Sequence, residues 1–176
     1  QEIQLRHVTW EEPGFAWTDR PAEPVLAQSV AGLAGHYAWT PRYRSEQAQW
    51  LSGWLAELAA GLTAGAMLFI DYGYPRREYY HPQRHEGTLM CHYRHRAHPD
   101  PLLLPGLQDI TAYVDFTAVA EAADAAGLQV AGFTDQAHYL IDAGIEALAA
   151  VMDPASSEGM RLAQQVRQLM LPGAIG

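Results

Sequence analysis

The sequence contains no lysine, and all eleven of its cationic residues are arginine. Its single cysteine, Cys91, cannot form an internal disulfide. No apolar run approaches the ~18 residues that a membrane-spanning helix needs, and no basic-then-apolar signal peptide is present. The net charge of −9 argues against general nucleic-acid binding. These absences favour a cytoplasmic protein with no membrane span and no nucleic-acid partner.

Several catalytic motifs are also missing. The chain has no G-x-G-x-x-G after a strand, no P-loop, no G-x-S-x-G and no H-E-x-x-H. Their absence argues against a dinucleotide enzyme, a nucleotide hydrolase, a serine hydrolase and a zinc protease. His92, His95 and His98 recur every third residue, but on a strand this spacing alternates them between opposite faces. We therefore expect no metal site.

An unbroken apolar run over residues 66–70 predicts a strand buried on both faces. The run stops at Asp71, and residues 72–75 break regular structure. A carboxylate directly after such a strand lies where α/β sheets bind ligands. Asp71 has an equally simple alternative role, which is to accept backbone N–H groups of the turn that it begins. The spacing alone leaves both interpretations open.

Two helix–glycine–strand units indicate an α/β fold with right-handed crossovers. The first is a helix over residues 45–60, with Ser45 as its N-cap and with Trp50 and Trp54 packing on the sheet, followed by the strand at 66–70. The second is a helix over 115–126, capped by Asp115 or Thr117, followed by a strand over 128–133. Before these units, the sequence predicts a half-exposed antiparallel strand with a bulge over 2–10, a connector over 11–24 and a helix over 25–33. Between them it predicts a strand over 88–96. After them it predicts a short helix capped by Thr134 or Asp135, and a last helix that starts at Asp153-Pro154 and is stopped by Pro172-Gly173.

Positive charge is concentrated in one segment. Residues 76–98 hold five arginines and five histidines against two glutamates, whereas the chain from residue 99 onward holds ten acids and two arginines. A basic segment is therefore inserted into an acidic chain.

Ordered blocks of residues resemble the MidA family of S-adenosylmethionine-dependent methyltransferases, which is similar to a mitochondrial arginine methyltransferase that assists complex I assembly. The blocks are IDYGY (70–74), RREYYHP (76–82), GTL (87–89), YRHR (93–96), DITA (109–112) and VDF (114–116), with a further FT-QA corner at 133–137. Tyr113 stands where many members carry a histidine.

The resemblance implies a partial Rossmann-like class I methyltransferase fold, in which a mixed sheet carries helices on its faces and a β segment is inserted at about 76–108. Residues 1–176 would be the C-terminal, substrate-side part, and the S-adenosylmethionine site is expected upstream of Gln1. The implied substrate is an arginine of a protein, such as a respiratory-chain subunit. The alternative is a non-catalytic protein-binding or assembly module with the same fold.

Carboxylates suit an arginine substrate because their two oxygens match the guanidinium fork. The candidate catalytic residues are Asp71, Tyr72 and Asp109. The candidate substrate-binding residues are Gly73, Tyr74, Tyr79, Tyr80, Tyr113 and Asp115. Helix capping or turn closure is an open alternative for Asp109 and Asp115. We also expect the chain to self-associate, because an uncovered sheet edge or face would remain apolar.

Overall fold

In the computed structural model, which describes residues 2–151, 153 and 155–171, the chain begins with a β-hairpin. Strand β1 (Gln4–Glu11) pairs antiparallel with β2 (Gly14–Pro21) in a continuous register. The antiparallel strand is confirmed, but the predicted bulge is absent from these two strands. The predicted connector over 11–24 is also wrong. Its prolines do not prevent pairing, because Pro13 lies in the turn and Pro21 ends the strand.

Helix α1 (Pro24–Ala34) is confirmed, whereas α2 (Leu51–Gly61) begins six residues later than predicted, and Ser45 does not cap it. The buried residues Leu51 and Leu55 of α2 pack with Ala122 of α4 (Phe116–Ala125) to form the core. The predicted packing of the two tryptophans on a sheet is wrong: α2 packs on α4, and Trp50 and Trp54 stay 66% and 39% exposed.

The described residues form two further small sheets. In the first, β3 (Gly73–Tyr74) pairs parallel with β7 (Val114–Asp115). In the second, β4 (Met90–Tyr93) lies between β5 (Arg96–His98) and β6 (Asp109–Thr111) and is antiparallel to both. Helix α3 (Arg76–Tyr79) follows β3. The single strand predicted over 88–96 is therefore wrong. Arg94 and His95 have φ of 48° and 63°, the left-handed geometry of a two-residue hairpin turn.

Neither the buried strand predicted over 66–70 nor the strand predicted over 128–133 is formed. Leu68, Ile70 and Val130 are 61%, 72% and 50% exposed. Both predictions are wrong because a strand needs a hydrogen-bonded neighbour, and no described strand pairs with either run. The architecture is α/β with small sheets, and the described residues do not form the single mixed sheet that was expected.

The described residues divide into two compact units: 2–66 with 71–128, and 67–70 with those from 129 onward. In the second unit, α5 (Gln136–Asp142) and α6 (Ile145–Ala149) pack against α7 (Ser157–Met170). Asp135 caps α5 as predicted, whereas α7 begins later than predicted, after its N-cap Ser156. The predicted signals Pro154, Pro172 and Gly173 lie outside the described residues. None of the helices in the described ranges is both long and apolar enough to cross a membrane.

Candidate functional site

The parallel pair β3–β7 brings two of the sequence blocks together. Gly73 lies opposite Val114, and the N–H of Val114 donates to the carbonyl of Tyr72 at 2.9 Å. Only glycine fits at position 73, since a Cβ there would lie 2.2 Å from the carbonyl oxygen of Val114 and 2.8 Å from the ring of Phe116. Gly73 was predicted to bind substrate, and close packing against Val114 and Phe116 is enough to explain why glycine stands at this position.

Three tyrosines meet beside this pair, and we call Tyr72, Tyr74 and Tyr113 the tyrosine cluster. The ring of Tyr113 lies 6.4 Å from that of Tyr72 and 5.4 Å from that of Tyr74, measured between centroids. Tyr72 and Tyr113 are exposed. The guanidinium carbon of Arg84 lies 3.8 Å from the ring centroid of Tyr74, and the Nε of Arg84 donates to the carbonyl of Glu78 at 2.9 Å. The cluster thus already holds one planar cation on a ring face.

Two of the three candidate carboxylates remain available. Asp71 is exposed, and its Oδ1 accepts the N–H of Tyr72 at 2.8 Å, while its other oxygen has no hydrogen-bond partner among the described residues. Asp109 is exposed in β6, opposite His92, and its side chain makes no hydrogen bond or ion pair with a described residue. Asp71 therefore closes a turn with one oxygen and presents the other.

The third carboxylate, Asp115, is engaged on both oxygens. Its Oδ1 accepts the N–H of Ala118 and so caps α4, and its Oδ2 accepts the Nε of Arg76 at 3.1 Å. The other end of the Arg76 guanidinium binds Glu121. Its hydrogen bonds to Glu121 and then to Asp115 raise the pKa of Arg76. The two ion pairs link the first residue of α3 to the N-cap and to one further residue of α4. The structure thus favours the capping interpretation of Asp115.

Tyr79 and Tyr80 lie in the core at 3% and 4% exposure. Both hydroxyls donate to the backbone carbonyl of Glu46 at 3.4 Å. Burial raises the pKa of Tyr79 to about 12 and the pKa of Tyr80 further, so both phenols stay protonated at neutral pH. The structure gives these residues a supporting role, and their direct contact with a substrate stays a prediction.

Glu46, Arg84 and Thr88 contact the predicted site residues but were not identified from the sequence. The carboxylate of Glu46 accepts the N–H and the hydroxyl of Thr88, both at 2.9 Å, and the N–H of Leu89 at 3.3 Å. These contacts span more than forty positions of sequence, so local patterns carry no signal for them. Gly87, which directly precedes the two residues bonded to Glu46, is the local sign that a turn lies here.

Part of the basic segment lines an open cavity. A cavity of about 510 Å³ is lined by His36, Tyr37, Ala38, Arg77, His81 and Pro82. Its side chains offer positive charge and an aromatic face and no carboxylate. Over the ranges that the structure covers, no three His, Cys, Asp or Glu side chains come together as metal ligands.

Comparisons with known proteins show which proteins the chain is similar to. Residues 1–134 match a family model described as "Putative S-adenosyl-L-methionine-dependent methyltransferase". A crystal structure from Burkholderia thailandensis, a COG1565 superfamily member bound to S-adenosyl-homocysteine, superposes with a TM-score of 0.88 at 41% identity. A second, native structure of a protein of this superfamily from the same organism gives a TM-score of 0.87 at 42% identity. No curated protein matches the chain.

The chain spans less than half the length of these solved structures. The first comparison covers 96% of this chain and 43% of the other, and the second covers 94% and 44%.

Proposed function

This chain belongs to the family of S-adenosyl-L-methionine-dependent methyltransferases, and from that premise we propose that residues 71–128 form the acceptor side of a protein arginine methyltransferase of the MidA family. The proposal includes S-adenosylmethionine as the cofactor of the whole protein and a Rossmann-like class I fold for its catalytic domain. The structural neighbour bound to S-adenosyl-homocysteine supports the cofactor.

The main support for an arginine substrate is the contact between Arg84 and Tyr74. The guanidinium carbon of Arg84 lies 3.8 Å from the ring centroid of Tyr74. A ring that accepts this group from its own chain has the chemistry to accept it from a substrate. Tyr72 and Tyr113 add two further exposed rings to the same cluster. An exposed ring face of this kind attracts a cation by about 0.5–1 kcal/mol.

Asp71 is the carboxylate best suited to orient the substrate. Its free oxygen can accept a guanidinium N–H, and its bonded oxygen fixes the side chain on the N–H of Tyr72. A charge-assisted hydrogen bond of this kind sets the direction of the guanidino nitrogens. Orienting the reacting nitrogen is a main source of acceleration, because ideal positioning alone supplies about 7–11 kcal/mol.

The described residues fit a cationic acceptor. They offer aromatic faces and a free carboxylate oxygen, and the sequence has no glycine-rich turn after a strand. S-adenosylmethionine, when bound, supplies the methyl group. The residues of this chain bind the acceptor guanidinium, orient its nitrogen and pair its positive charge with the carboxylate of Asp71.

The partner that the MidA resemblance implies is a protein, such as a respiratory-chain subunit, and we extend the proposal to it and to a cytoplasmic location. The basic cavity around Arg77 and His81 would face acidic residues of that partner rather than the arginine itself.

The test uses the full-length protein, S-adenosylmethionine with a tritiated methyl group, and two peptides that differ only by arginine or lysine at one position. We expect label in the arginine peptide alone. Tyr74→Leu removes the ring and should lower kcat/KM about tenfold, whereas Tyr74→Phe keeps it and should stay within about threefold. A folded protein that binds S-adenosyl-homocysteine and labels neither peptide would instead support a non-catalytic binding module.

A further inference from the structure

We propose that Glu46 is a positioning residue, which sets the place of the tyrosine cluster through the hydroxyl of Thr88. The inference rests on the proposed function, because it assigns the cluster to the acceptor side of the enzyme. Glu46 lies outside regular structure, in the segment that precedes α2.

The first step is a directed chain of hydrogen bonds. A carboxylate can only accept, so the Thr88 hydroxyl must donate its proton to Oε2 of Glu46, 2.9 Å away. The lone pairs of the same hydroxyl are then left to accept, and the backbone N–H of Tyr113 donates to it at 3.0 Å. Bonds linked in this way strengthen one another, so Glu46 acts on Tyr113 without touching it.

The second step is that the backbone is shaped around this carboxylate. Gly87 has a φ of +82°, and a Cβ at this position would lie 2.3 Å from Oε1 of Glu46. The N–H groups of Thr88 and Leu89 both point at the carboxylate. The turn at residues 87–89 therefore forms a socket for one glutamate side chain.

The third step is the position of Tyr113 between two supports. On one side, the N–H of the next residue, Val114, joins Tyr113 to the backbone of Tyr72. On the other side, the Tyr113 N–H donates to the Thr88 hydroxyl and makes no other hydrogen bond with a described residue. Since the Tyr113 ring contacts both other rings, releasing this second support should change the spacing of the cluster.

A simpler account is that Glu46 only fastens the segment before α2 to the turn at 87–89. That account predicts a loss of stability when the bonds are removed, with unchanged kinetics of the folded protein. A positioning role predicts that removing the Thr88 hydroxyl alone changes the kinetics, although Glu46 keeps both backbone N–H partners.

The experiment compares Thr88→Val, which is nearly isosteric but lacks the hydroxyl, with Thr88→Ser, which retains it. Thr111→Val is the matched control. The Thr111 hydroxyl donates to the carbonyl of Met90 on the neighbouring strand β4, and it does not bond to the cluster. All three are made in the full-length protein. The measurements are methyl-transfer kinetics, affinity for S-adenosyl-homocysteine by calorimetry, melting temperature, and ¹⁹F spectra of protein labelled with 3-fluorotyrosine.

We expect Thr88→Val to lower kcat/KM about tenfold, to leave the affinity for S-adenosyl-homocysteine within about twofold, and to shift the resonances of the cluster. Thr88→Ser and Thr111→Val should match the wild type in all three. Equal kinetics and equal spectra for Thr88→Val and Thr111→Val would overturn the proposal. If the wild-type protein transfers no methyl group, the proposed function fails, and the fluorine spectra alone decide whether Thr88 positions the cluster.

Discussion

Replacing Asp71 by asparagine separates its two roles. The carboxylate accepts the N–H of Tyr72 with Oδ1 at 2.8 Å and leaves its second oxygen without a partner among the described residues. An asparagine keeps an oxygen in the first place and puts an NH₂ group in the second. The turn should survive the change, because asparagine closes such turns as well as aspartate does.

The effect on the rate follows from the second oxygen. In the wild-type protein it would accept a charge-assisted hydrogen bond from the substrate guanidinium, a class of bond worth about 1.5–3 kcal/mol. In Asp71→Asn the substituted NH₂ faces a group that can only donate, so the bond is lost. We expect kcat/KM to fall roughly 100-fold, which corresponds to about 2.7 kcal/mol.

The assay is methyl transfer to an arginine peptide by the full-length protein, with the melting temperature and the affinity for S-adenosyl-homocysteine measured alongside. Asp100→Asn is the matched control, since Asp100 is also exposed and also closes a turn, by accepting the N–H of Leu102 at 3.0 Å. Neither variant should melt more than a few degrees below the wild type. If Asp71→Asn retains the rate of Asp100→Asn, Asp71 only forms a turn and the reasoning is refuted.

Four further predictions concern stability and association. Gly73→Ala should destabilise the fold by about 1–3 kcal/mol in denaturant titrations, because its Cβ overlaps the backbone of Val114. Arg76→Met should cost about 1–2 kcal/mol in the same assay, because it leaves the nearly buried Asp115 without its cation, whereas loss of the exposed partner alone in Glu121→Gln should cost less. Burial raises the pKa of Tyr79 to about 12, so the folded protein releases this proton at a higher pH than the unfolded protein does. The free energy of unfolding should therefore fall between about pH 10 and about pH 12, by up to about 1.4 kcal/mol per pH unit for this group, and Tyr79→Phe should reduce that slope. The isolated chain should self-associate in light scattering as concentration rises, since the hairpin and the runs near 68–70 and 130–133 expose large apolar side chains; a monodisperse monomer would contradict this.

Helices were predictable where their start signals are local. Asp115 and Asp135 cap α4 and α5 with their own side chains, so a single residue and the apolar positions after it define each helix. The start of α2 was not predictable in this way. Ser45 has the chemistry of an N-cap, but the next residue, Glu46, is held by a turn forty residues further along the chain. That tertiary contact overrides the local preference.

Strands were predictable only where the pairing partner is close in sequence. The first strand pairs across a short turn with its immediate neighbour, and its antiparallel sense follows from its half-exposed pattern. The run at 66–70 is as apolar as a buried strand, and 128–133 is mostly apolar, but an apolar pattern specifies burial and not the neighbour that completes the ladder. The second strand was missed because nearby prolines are typical of a connector. Pro13 lies in the turn and Pro21 ends the strand, so neither proline removes a hydrogen bond of the ladder.

The sequence proposed the members of the candidate site, and it did not separate those that are enclosed from those that are exposed. Gly73, Tyr79, Tyr80 and Asp115 point into packing or capping contacts, while Asp71, Tyr72 and Tyr113 are exposed. Residues of one block fall on both sides of this division, because the tertiary partners of each side chain decide whether it is enclosed. With Asp115 bonded on both oxygens, Asp71 and Asp109 are the carboxylates left with a free oxygen, and Asp71 directly precedes Tyr72 of the cluster. The rate of Asp71→Asn is therefore the measurement that bears most directly on an arginine substrate.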